Sequence, residues 1–192
     1  MKKLLFVAFV FAGMFQAVNA QTGSILVGGS INYSSSKTPS APSDSKASSF
    51  DFNPTIGYQF SDNWTAGLVT DIRSANNTSA LNIVTKENSF AIGPFIRYAK
   101  SLSPVFAIYG QLQGAFGSGK VGNVNTSVGA ISAFPAVFIN VKNGFGLNFS
   151  VGGIGYTSSK PSGGSASNSF NFTFGQSVGI GLSKNFGLHK KK

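Results

Sequence analysis

The chain of 192 residues has no cysteine, one histidine, one tryptophan and only five acidic residues. Without thiols there is no disulfide, no thiolate metal site and no cysteine for lipid attachment. The one histidine, His189, stands in a basic tail, so no Ser–His or Ser–His–Asp relay can be assembled. Metal-ligand spacings are missing too, and the Gly-rich stretches open no helix that could cradle a phosphate. The expected catalytic, cofactor and metal sets are therefore empty, and the chain is expected not to be an enzyme. Charged residues are 10% of the sequence, against about 25% in soluble globular domains. After residue 20 no window holds the ~18 apolar residues of a membrane helix.

The amino terminus has its own pattern. Lys2 and Lys3 precede an apolar or small run from Leu4 to Phe15, and Val18-Asn19-Ala20 places small residues where cleavage would fall. Residues 1–20 therefore read as a secretory signal peptide. The apolar run is 12 residues, too short for the roughly 20 that span a bilayer. Residues 21–186 form the expected barrel domain, and residues 187–192 a basic tail.

A strand-like pattern recurs through that domain. It starts at Pro54, Pro94, Pro135 and Gln176, at intervals of 40, 41 and 41 residues. Each copy alternates apolar residues with small or polar ones, the period of a strand with one apolar face. One hairpin per repeat suggests either a propeller or an antiparallel barrel. Connection lengths choose between them. Strands are expected at about 23–34, 48–60, 64–74, 88–100, 104–117, 128–141, 145–157 and 168–186. Three-residue turns at 61–63, 101–103 and 142–144 alternate with long Ser-, Asn-, Gly- and Thr-rich loops at 35–47, 75–87, 118–127 and 158–167. Short turns at one end and longer loops at the other mark a transmembrane barrel. The neutral, small residues on one face of each strand suit a crowded interior, and the bulky apolar face then meets lipid. The fold class is all-β: an eight-stranded antiparallel transmembrane β-barrel, an up-and-down meander.

Three-residue turns set a register. They pair Tyr58 with Ala66, Ile56 with Leu68, Tyr98 with Phe106, Ile96 with Ile108, Val141 with Phe145, Ile139 with Leu147 and Val137 with Phe149. Tyr58, Phe60, Trp64, Tyr98, Phe106 and Phe145 gather near the turns as an interfacial aromatic girdle. Tyr33, Phe50, Phe90 and Phe170 form the opposite one. Pro54, Pro94 and Pro135 each delete a ladder donor inside a strand, and are expected to mark bulges on one contour. The last strand alternates from Phe170 to Phe186 and can pair with Ile25–Tyr33 to close the sheet.

This pattern resembles the small eight-stranded outer-membrane barrel family, which includes the OmpA and OmpX barrels. It is most similar to compact porin-family barrel domains of Bacteroidetes-type bacteria, over essentially the whole chain after residue 20. The resemblance implies residence in a bacterial outer membrane, among its lipid and lipopolysaccharide, as a monomer. It also implies a terminal aromatic read by the barrel-insertion machinery. Phe186 matches that position, although Gly187–Lys192 continue past it.

The inward face carries Asp51, Asp71, Arg73 and Arg97, with Asp51 opposite Arg73, Asn53 opposite Asp71, and Arg97 nearer the short turns. Charges away from bulk water need partners, so these four are expected to form a lumenal charge cluster that pins strands together or lines an ion path. Inward Phe95, Tyr109, Phe134 and Phe138 fill space that a wide pore would need. The net charge of +10 falls to +8 without Lys2 and Lys3. The tail lysines lack aromatic interleaving, so nucleic acid is not an expected partner. Loop lysines can meet the phosphates of surface glycolipid. Three functions remain open: a structural or adhesion-like surface element acting through its loops, a narrow channel for small solutes or ions, and a lipid-modifying enzyme.

Overall fold

The computed structural model describes residues 23–187. The segment expected to be a signal peptide, the tail beyond Gly187 and His189 lie outside them. Eight strands follow one another: β1 (Ser24–Thr38), β2 (Ser45–Gln59), β3 (Trp64–Thr78), β4 (Val84–Ser101), β5 (Phe106–Val121), β6 (Val124–Lys142), β7 (Phe145–Pro161) and β8 (Ser167–Gly187). Each pairs antiparallel with its neighbours in sequence order, and β1 pairs with β8 to close a barrel. Alternation sends Leu26, Val69, Phe95, Tyr109 and Ala136 inward, where they are buried. The opposite residues, among them Ile31, Ile56, Ile96, Leu112 and Phe172, stay exposed. The barrel thus carries its bulky apolar residues on the outside.

One end of the barrel, the turn rim, holds both ends of the described chain and the connections 60–63, 102–105 and 143–144. The other end, the loop rim, holds 39–44, 79–83, 122–123 and 162–166. The expected long loops are largely strand. Their Ser, Thr and Asn residues continue the ladders, as in Ser34↔Ser49, Lys37↔Lys46 and Asn77↔Thr85. Residues 118–127 tighten to a two-residue turn with Gly122 at φ 58°. The small polar residues that favour loops also fit a ladder once the neighbouring strand supplies its hydrogen bonds.

The first hairpin has the expected register, with Ile56↔Leu68 and Tyr58↔Ala66. The second does not. Its turn runs through Leu102-Ser103-Pro104-Val105, and the Ser103 Oγ accepts from the backbone N–H groups of Val105 and Phe106 at 3.3 and 3.0 Å. Tyr98 therefore faces Gly110, and Ile108 faces Lys100. The displacement is an even number of residues, so every side chain keeps its expected face. In the third hairpin Ile139↔Leu147 and Val137↔Phe149 hold, but Lys142 rather than Val141 faces Phe145. There Asn143 and Gly144 both adopt positive φ, 49° and 76°, the conformation of a two-residue type I′ turn.

The prolines behave less uniformly than expected. Pro54, Pro94 and Pro135 each face a residue of the preceding strand, Gly29, Leu68 and Gly110. Toward the following strand the pairing is interrupted at each. At Pro54 and Pro94 the register resumes unchanged, so neither marks a bulge. Only beside Pro135 does it shift, and the extra residue sits on β7, where Ser150 to Ile154 spans one residue more than Ala133 to Ala136. Gly152, at φ 112°, absorbs that insertion.

The closing seam is short. β1 and β8 share six register pairs, from Ser24↔Gly187 to Gly29↔Leu182, whereas β1 and β2 share fourteen. Above Gly29 the two edges share no register pair among the described residues.

Candidate functional site

The interior holds two separate polar groups of side chains. Near the loop rim, Arg73 Nη1 donates to Asp51 Oδ1 at 2.9 Å, joining the register partners of β2 and β3. Arg73 Nε lies 3.7 Å from Glu87 Oε1 on β4. Asn32 on β1 donates to Asp51 Oδ2 at 3.5 Å. Four adjacent strands therefore converge on one guanidinium and its two carboxylates. Asp71, two residues below Arg73 on the same face, is exposed and makes no ion pair among the described residues.

Arg97 belongs elsewhere. It lies ten residues along β4 from Glu87, roughly 33 Å at about 3.3 Å per residue, so the four charges expected as one cluster are split. Its Nε and Nη2 both donate to Gln111 Oε1, at 2.9 and 2.6 Å. Gln111 Nε2 in turn donates to Gln113 Oε1 at 2.7 Å. The guanidinium stacks over the Tyr109 ring at 4.1 Å and near Phe95 at 5.7 Å, a cation–π arrangement. Phe95 is 3% exposed because its ring lies across the paired glycines Gly57 and Gly67, where an added Cβ would meet it at 2.7 Å. With Leu26 and Val69 it forms the buried apolar cluster. Below, Ser24 donates to Gln59 Oε1 at 2.9 Å and Asn148 to Ser183 Oγ at 2.8 Å. Buried or hydrogen-bonded side chains from all eight strands thus line the turn-rim half of the interior.

Glu87, Asn32, Gln111 and Gln113 were not among the expected site residues. Glu87 stood in an expected loop. Gln111 and Gln113 share the inward parity of Tyr109, and that parity was the signal for them.

On the outside, Trp64 and Tyr98 are register partners, with ring centroids 5.0 Å apart and planes at 62°. Phe60, Phe106 and Phe145 are exposed at the same rim, and Tyr58 is half-buried. Tyr33, Phe50, Phe90 and Phe170 are exposed toward the loop rim. Among the described residues, no group of histidine, aspartate and glutamate is arranged to hold a metal.

No family model matches the chain, and no curated protein matches it in sequence. Among solved structures, the translocator domain of the autotransporter NalP from Neisseria meningitidis is 12% identical with a TM-score of 0.43, covering 99% of this chain and 77% of that one. The Yersinia pestis outer membrane protein Ail, in a phospholipid bilayer nanodisc, is 15% identical with a TM-score of 0.36, covering 86% of this chain and all of that one. The eight-stranded barrel assignment rests on the strand pairing of the chain itself.

Proposed function

We propose that the chain is exported by a cleaved signal peptide and resides in the outer membrane of a Gram-negative bacterium as a monomeric barrel of the small OmpA/OmpX-like kind. Its role is structural or surface-interacting, carried by the loop rim, which faces outward from the cell. The observation that carries this reading is the outer face. From Phe60, just past β2, back to Phe50 the outward positions are all apolar or aromatic, exposed or half-buried, and span ten residues, about 33 Å along the strand and about 25 Å in height at a tilt near 40°. That is the height of the lipid-facing band of such barrels, with aromatics at both borders. A closed barrel also satisfies the backbone in hydrocarbon. Strands of 15 to 21 residues exceed the ~9–11 that a crossing needs, so their Ser- and Asn-rich ends project beyond the bilayer and offer the surface for an extracellular ligand.

The crowding of Phe95, Arg97, Tyr109 and Gln111 in the turn-rim half of the interior disfavours the narrow-channel reading, and planar-bilayer recordings test it: conductance above background would revive it. The lipid-modifying reading gains no support from the geometry, since among the described residues no hydroxyl is hydrogen-bonded to an inward carboxylate, and Asp51 is held by Asn32 and Arg73. Lipid analysis of a deletion strain tests that one. The membrane reading is tested by electrophoresis of an unboiled, detergent-extracted envelope fraction. A folded barrel migrates differently before and after boiling. A mature polypeptide that stays native and monodisperse in detergent-free buffer overturns it.

A further inference from the structure

Outside the barrel, toward the loop rim, five strands repeat one vertical order of side chains: aromatic, small polar, lysine. They read Tyr33-Ser35-Lys37 on β1, Phe50-Ser48-Lys46 on β2, Phe90-Asn88-Lys86 on β4, Phe116-Ser118-Lys120 on β5 and Tyr156-Ser158-Lys160 on β7, counted at alternate residues. On β3 and β6 the same height carries Ile72-Ser74-Asn76 and Ile131-Gly129-Ser127. From β1 to β7 three junctions keep these positions opposite each other, Lys37↔Lys46, Asn76↔Lys86 and Ser127↔Lys160, and three step two residues toward the turn rim, Ser48↔Asn76, Asn88↔Lys120 and Ser118↔Ser127, a stagger of the kind that tilted strands need to bring residues to one height. Each lysine lies four residues beyond its aromatic, about 13 Å along the strand and about 10 Å in height after tilt. Its apolar stem can lie along the wall while the ammonium reaches outward.

The acids do not answer this belt. Asp44 pairs with Lys37 at 2.6 Å. Asp51, Asp71 and Glu87 are on inward positions, and Asp62 lies in the connection at the turn rim. The chain has no other carboxylate side chain. Lys46, Lys86, Lys120 and Lys160 are all exposed and have no carboxylate partner among the described residues.

We infer that Lys46, Lys86, Lys120 and Lys160 form a belt that binds the phosphates of lipid headgroups in the leaflet at the loop rim, a phosphorylated glycolipid in an outer membrane. The inference rests on the membrane-spanning reading above. If the aromatics mark the border of the hydrocarbon, the ammonium groups stand at headgroup height, where anionic lipid attracts them. The belt is at one height because the phosphates are.

The test uses the mature barrel in neutral detergent with a chelator, and native mass spectrometry of bound lipid. The probes are a bisphosphorylated acylated glucosamine disaccharide, the same lipid without phosphate, and inorganic phosphate. One variant combines Lys46→Gln, Lys86→Gln, Lys120→Gln and Lys160→Gln; a second combines Lys100→Gln, Lys142→Gln and Lys184→Gln at the turn rim. The first should bind the phosphorylated lipid at least ~10-fold more weakly than wild type, and the second as wild type does. The dephosphorylated lipid should bind all three equally. Equal retention of the phosphorylated lipid by wild type and the first variant overturns the belt, as does an equal loss in both variants. Inorganic phosphate binding as tightly as the lipid overturns the lipid as occupant. An unboiled gel of each protein separates the two failures: loss of the mobility shift in wild type sinks the membrane reading, while an intact shift without lipid preference sinks only the belt.

Discussion

Arg73 and Arg97 both point inward, yet the first shares its charge with two carboxylates and the second with none. Asp51→Asn removes one member of an ion pair whose arginine side chain is 42% exposed. Water takes up much of that loss, so the expected cost is about 0.5–1 kcal/mol in urea unfolding from lipid vesicles. Gln111→Leu takes away the oxygen that accepts both Arg97 hydrogen bonds at a buried position, and should cost about 1.5–3 kcal/mol. If Gln111→Leu proves the milder of the two, the interior near Arg97 is wetter than its packing implies. A different limit applies where Phe95 crosses Gly57. Gly57→Ala should cost about 1–3 kcal/mol through overpacking, and Phe95→Leu in the same chain should recover part of it. A double variant no better than the sum of the singles removes the direct contact as the cause.

Among the strands, the third hairpin depends most on its turn. Asn143 and Gly144 both hold positive φ, and a Cβ on Gly144 would come within 2.8 Å of the Asn185 carbonyl oxygen. Gly144→Ala should therefore destabilise by more than about 1 kcal/mol, measured by the same unfolding. An unchanged midpoint would mean the turn relaxes into another type. Strand existence was legible because apolar alternation survives wherever one face is bulky, as in Phe170-Phe172-Phe174. Strand length was not. From Ser34 to Thr38, or Thr126 to Val124, local chemistry is the same in a loop and in a ladder, and only the partner strand decides. The second turn shows the same dependence: Pro104 and the Ser103 hydroxyl shift it beyond its expected position without altering which side chains face inward. The interior charges were legible by parity, and so was the place of Arg97 nearer the short turns. Their partners Glu87 and Gln111 were not, because strand length and register decide which side chains meet.

In the molecule as a whole, the six-pair junction between β1 and β8 is the shortest line of backbone bonding around the circumference. Amides with fewer ladder bonds open more readily, so hydrogen exchange at Ser30–Thr38 should outpace that at Asn76–Arg73 on β3. Equal protection would mean the edges are covered by other means. The absence of cysteine makes the junction easy to fasten. Val27 and Lys184 are register partners, so Val27→Cys with Lys184→Cys should cross-link under mild oxidation and raise the midpoint of thermal unfolding.

Ser24 and Gly187 stand opposite each other at the turn rim, which makes the order of the strands a circle rather than a line. A few added residues could splice those two ends together, and the chain could be reopened between Gly122 and Asn123, whose tight turn carries nothing near Gly122 for a side chain to strike. Such a permuted polypeptide would begin at β6 and finish at β5, and its wall would be the same.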